Sequence, residues 1–90
     1  MNINHNQAQT LNEIYASGGA VLASEWVRGS GSYVSKRAIP PYCKEMNIDD
    51  AVAVLGGKAG KAAKAIKKAH PKARKVIAIV DMHSAARAVK

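Results

Sequence analysis

The 90-residue sequence predicts a small single-domain α+β fold, ordered α-β-β-α-α-β-α around a three-stranded sheet. Three observations carry that expectation. Residues 75–81, Lys-Val-Ile-Ala-Ile-Val-Asp, form an unbroken run with four β-branched residues among the central five, the pattern of a strand buried on both faces. Residues 58–69 sort Lys from Ala and Ile at helical spacing. The breakers Gly18-Gly19, Pro40-Pro41 and Gly56-Gly57 divide the chain into pieces of element length.

Residues 1–7 are polar and read as a flexible arm before a compact basic domain at 8–90. Thr10-Leu11-Asn12-Glu13 has the spacing of a capping box, and Leu11, Ile14 and Tyr15 share a face of a helix over 8–17. Gly18-Gly19 stops that helix, since glycine tolerates the left-handed conformation. Residues 20–27 and 32–39, rich in Val, Trp, Tyr and Ile, read as two strands about Arg28-Gly29-Ser30-Gly31. The rival is two helices over 20–28 and 32–38, which would make an all-α helix-turn-helix domain. Pro40-Pro41 ends either version. Asp49 or Asp50 then caps a helix bearing Ala51, Val52, Val54 and Leu55, which Gly56-Gly57 breaks. A second helix runs over 58–69 to Pro71, the strand comes next at 75–81, and Asp81 caps a last helix over 82–90.

Composition bounds the core and the partners. Apolar residues make up 48% of the chain, which excludes compositional disorder. With no Phe, one Trp and three Tyr, core volume must come from Ile, Val and Leu, with Ala letting helices approach closely. Fourteen Lys and Arg against six Asp and Glu give a net charge of +8, which favours polyanionic partners.

That charge is concentrated. Taking Lys58 as 0° and advancing about 100° per residue, Lys61, Lys64 and Lys68 fall at about 300°, 240° and 280°, opposite Ala62, Ile66 and Ala59 at about 40°, 80° and 100°. From Lys58 to Lys75 there are eight basic residues, Lys58, Lys61, Lys64, Lys67, Lys68, Lys72, Arg74 and Lys75, and no acidic one. Ordinary solvated faces mix signs, because Glu–Lys pairs one turn apart support a helix. Here no such pair is possible, and a polyanion is the simplest way to offset the repulsion. Arg28, Lys36 and Arg37, beside Trp26 and Tyr33, form a smaller basic-aromatic cluster that could meet a groove or a phosphate. The plainer reading, which outweighs it, makes Trp26 and Tyr33 simply the core's largest side chains and the Gly-Ser tip an ordinary loop.

Residues 51–66, with Gly56-Gly57 before Lys61-Ala62-Ala63, resemble the first helices of Fis-type helix-turn-helix segments over about a fifth of the chain. The pattern departs at Lys67-Lys68, where a glycine and an apolar turn residue would stand, and at Pro71. The resemblance implies DNA binding without assigning a family.

Other chemistry is not encoded in local motifs. Gly56-Gly57-Lys58-Ala59-Gly60-Lys61 fails the phosphate-loop spacing, since Leu55 and Ala62 stand where Gly and Ser or Thr are needed. His5, His70 and His83 are scattered, and Cys43 is the only cysteine, so neither a metal, a cofactor nor an intrachain disulfide is expected. The N-terminal residues show no secretory pattern and no apolar run reaches membrane-spanning length, so a cytoplasmic setting with no membrane partner is expected. These features point to a non-catalytic nucleic-acid-binding protein, duplex DNA before RNA, of a bacterial or phage regulator or architectural type, with a homodimer left open. The alternative is a small interaction protein, such as a phage-encoded inhibitor, docking on an acidic or nucleic-acid-binding surface of a host protein.

Overall fold

The run at 75–81 becomes the centre of the molecule. A computed structural model describes residues 5–24 and 39–88. Among these are four helices, α1 (His5–Ala16), α2 (Ile48–Val54), α3 (Gly57–Ala69) and α4 (Met82–Ala88), and three strands, β1 (Ala20–Leu22), β2 (Cys43–Asn47) and β3 (Lys75–Ile79). The sheet order is β1-β3-β2, with β3 antiparallel to both neighbours. The α+β class and the three-stranded sheet are as expected, and the all-helical alternative is excluded.

Both faces of β3 are buried, as its composition requires. Ile77 and Ile79 pack with Leu11 and Ile14 of α1, Ala85 of α4, and Cys43. On the other face Val76 meets Leu22, Ile48, Ala51 and Ala63, while Ala78 meets Ala20 and Ala62. The sheet is thus a middle layer, with α1 and α4 on one side and α2 and α3 on the other. Val80, placed by alternation on the Val76 face, instead lies past the strand end and is exposed. Its amide donates to the Tyr42 carbonyl.

The strand partners depart from expectation. β1 ends at Leu22, and Ala23 and Ser24 are helical; residues 25–38, where the two-strand and two-helix readings diverge most, lie outside the described residues. The described second strand is Cys43–Asn47, a segment with little strand propensity, paired from Cys43↔Ile79 to Asn47↔Lys75. Its pairing satisfies backbone groups along β3 that would otherwise be left buried and unpaired.

Helix ends also shift. α1 starts at His5, so residues 5–7 form its first turn, and Thr10 is a buried mid-helix residue rather than a cap. The cap of α2 is Asn47, whose side-chain oxygen accepts from the Asp49 amide; Asp49 and Asp50 sit in the first turn, where the helix dipole favours acids. Asp81 does cap α4, accepting from the Ser84 amide at 3.0 Å and the Ser84 hydroxyl at 2.7 Å. Those two hydrogen bonds hold its carboxyl below the usual range.

Glycine fixes how closely α3 approaches. A Cβ on Gly19, where φ is +104°, would lie 2.9 Å from the Ala59 backbone, and one on Gly60 would lie 2.4 Å from the Leu55 carbonyl oxygen. At both places the chain passes backbone against backbone.

Two outcomes test this packing. Ile77→Ala and Val76→Ala should each destabilise, by about 2–5 and about 1–3 kcal/mol respectively, in chemical denaturation. Near-wild-type stability for either would contradict burial of that face. Gly60→Ala should cost about 1–3 kcal/mol despite the higher helix propensity of alanine, and a stabilised variant would contradict the close contact with Leu55.

Candidate functional site

The chemistry-bearing surface is the outer face of α3. Ala59, Gly60, Ala62 and Ala63 are buried and Ile66 is half-buried, so these residues define the inward stripe of the helix. Helical geometry then turns Lys58, Lys61, Lys64 and Lys68 outward, and all four are exposed. Ala65 is a small exposed residue between them. From Lys58 to Lys68 the helix rises about 15 Å, which sets the length of the charged ridge.

The remaining basic residues extend the ridge without sharing its helical phase. α3 ends at the His70 cap, whose amide donates to the Ile66 carbonyl, and Pro71-Lys72 turn the chain. Lys72 lies in that turn, Arg74 in the connection, and Lys75 opens β3; all three are exposed. The Arg74 carbonyl accepts from the Ile48 amide, which ties this connection to the start of α2. Helical phase therefore does not carry through Pro71 to Lys72. Arg28, Lys36 and Arg37 lie outside the described residues.

One expectation needs correction. The basic segment holds no acid of its own, yet Lys67 forms an ion pair with Asp49 of α2. At about 180° on the wheel, Lys67 borders α2 rather than the charged ridge. Both partners are exposed, so the pair contributes about 0–1 kcal/mol. Among the described residues none of Lys58, Lys61, Lys64 and Lys68 has an ion-pair partner. The pairing across two helices is invisible in local spacing, since Asp49 lies 18 positions before Lys67.

Shallow clefts flank the ridge. On one side Lys58 and Lys61 stand over a cleft of about 410 Å³ shared with Tyr15 and Gly18, where α1 gives way to β1. On the other, Lys61 and Lys64 border a cleft of about 210 Å³ against Val52 and Leu55. The sequence offered no signal for the first, because Tyr15 meets α3 only through the fold.

The α2–α3 corner keeps the short glycine-containing turn of the helix-turn-helix resemblance, at Leu55-Gly56. Beyond α3 the chain enters a turn and then the buried β3, so no groove-reading helix comes next. No helix is long and apolar enough to cross a membrane, and no group of three or more His, Cys, Asp or Glu could hold a metal, among the described residues.

Cys43 is buried between the sheet and α1, and that burial pushes its thiol up to about 12. It is therefore a core side chain in its neutral form across the physiological range. Native Cys43 should alkylate at least about tenfold more slowly than in the unfolded chain near neutral pH. Equal rates in the two states would contradict its burial.

No protein-family model matches the sequence, and no curated protein or solved structure matches it.

Proposed function

We propose that this chain is a non-catalytic nucleic-acid-binding protein, DNA before RNA, which engages the phosphate backbone through the outer face of α3. The observation that carries the reading is the row Lys58, Lys61, Lys64 and Lys68, exposed on one face and without ion-pair partners among the described residues. Lysines one turn apart repel by about 0.2–0.5 kcal/mol per pair in isolated helices. A bound polyanion removes that repulsion and releases its own condensed counterions. Lys72, Arg74 and Lys75 lengthen the basic surface beyond the helix. A regulator or architectural protein would suit such a backbone-directed mode, since phosphate contacts position a protein on a duplex without reading its sequence.

The test is a titration of random-sequence duplex DNA across a salt series. The combined Lys61→Gln, Lys64→Gln and Lys68→Gln variant should stay folded, bind more weakly, and lower the slope of log K against log[salt] by about two to three. A folded triple variant with wild-type affinity and slope would overturn this assignment. So would the absence of any duplex binding by the wild-type protein at low salt.

A further inference from the structure

The acids of the molecule are sorted between its two layers. Glu13 belongs to α1 and Asp81 caps α4. Glu45 stands in register with Ile77, so its side chain shares the sheet face of those two helices. Among the described residues, the only acids in the α2–α3 layer are Asp49 and Asp50, in the first turn of α2. Asp49 pairs with Lys67, whereas Lys58, Lys61, Lys64 and Lys68 have no ion-pair partner among the described residues. The start of α2 is also fixed in place. The Ile48 amide donates to the Arg74 carbonyl at 2.8 Å, and Asn47 stands in register with Lys75 in the sheet. Backbone bonds thus hold Asp49 at the flank of α3, independently of its own ion pair.

This arrangement gives the basic surface an edge. An exposed ion pair is weak, so a polyanion could break it. The carboxylate would nevertheless remain beside any phosphate brought to Lys67, like charge against like. Each lysine that neutralises a phosphate steepens the salt dependence of binding by about 0.9. A lysine held by a carboxylate of its own protein neutralises none and adds nothing. We propose that Asp49 sets the α2-side boundary of the nucleic-acid footprint by withholding Lys67, so that α3 engages phosphates through Lys58, Lys61, Lys64 and Lys68. The inference rests on the nucleic-acid reading of α3. It adds which of that helix's five lysines touch the strand, and what excludes the fifth.

Titration of a random-sequence DNA duplex across a salt series, on single variants, locates the boundary. Lys64→Gln should flatten the plot of log K against log[salt] by about 0.9, whereas Lys67→Gln should leave its slope unchanged. Asp49→Asn should bind about two- to fivefold more tightly and steepen the slope by about 0.9, because Lys67 is released. The cap of α2 uses the Asp49 amide and the Asn47 side chain, so it survives loss of the carboxylate. In a Lys67→Gln background the same Asp49→Asn change should no longer steepen the slope, which separates release of Lys67 from a general loss of negative charge. A slope flattened as much by Lys67→Gln as by Lys64→Gln would overturn the boundary and leave α3 binding standing, and this comparison needs no Asp49 variant to fold. An unchanged slope in folded Asp49→Asn, or a steepening that persists without Lys67, would do the same. A wild-type protein that binds no duplex would remove both readings.

Discussion

The closeness of α3 to the rest of the chain is the constraint on which the structure depends. Gly19 lies against the Ala59 backbone and Gly60 against the Leu55 carbonyl, at distances that leave no room for a Cβ. Ala62 and Ala63 continue the contact over Ala20, Ala78 and Val76. A helix seated on such small residues is held by main-chain proximity and many short-range dispersion contacts rather than by large interlocking side chains. This explains the composition: a core without Phe is sufficient when the layers lie this close.

The same seating orients the charge. Once 59, 60, 62 and 63 face inward, rotation of α3 about its axis would bury a lysine or expose the alanine stripe. The ridge of Lys58, Lys61, Lys64 and Lys68 is therefore held at fixed spacing by packing on the opposite side of the helix. Mutual repulsion along the ridge is tolerated because tertiary burial, not charge pairing, stabilises the helix. Lys67 is the exception, and its partner Asp49 comes from α2, which is packed alongside α3. An unneutralised row on an already ordered helix backbone suits the proposed polyanion, because only the lysine side chains remain to be ordered on binding.

The central position of β3 links this surface to the second face of the molecule. Its Val76 and Ala78 side touches the layer containing α3, and its Ile77 and Ile79 side touches α1 and α4. Tyr15 and Ala16 at the end of α1, with Ser17 and Gly18 just beyond it, line a cleft shared with Lys58 and Lys61 of α3. The cleft between Gly18 and Lys58 thus lies where the two layers meet around the edge of the sheet at β1.

Several features were legible in the sequence because their causes are local. The inward stripe of α3 arises from helical periodicity, the break before it from Gly56-Gly57, and the double burial of β3 from a run of β-branched residues without polar alternation. Asp81 as a cap needed only Ser84 three positions on. The tertiary structure alone decided the rest. Lys44, Glu45 and Asn47 became strand because β3 supplied hydrogen-bonding groups for them, against their own weak propensity. Thr10 lost its expected capping role when the helix extended back to His5. The ion pair of Lys67 with Asp49 and the cleft lined by both Tyr15 and Lys58 join residues far apart in the chain. Local spacing governs helix phase and chain breaks, since neighbours are close in any conformation. Strand partners, ion pairs between helices and clefts exist only after non-local packing has brought distant segments together.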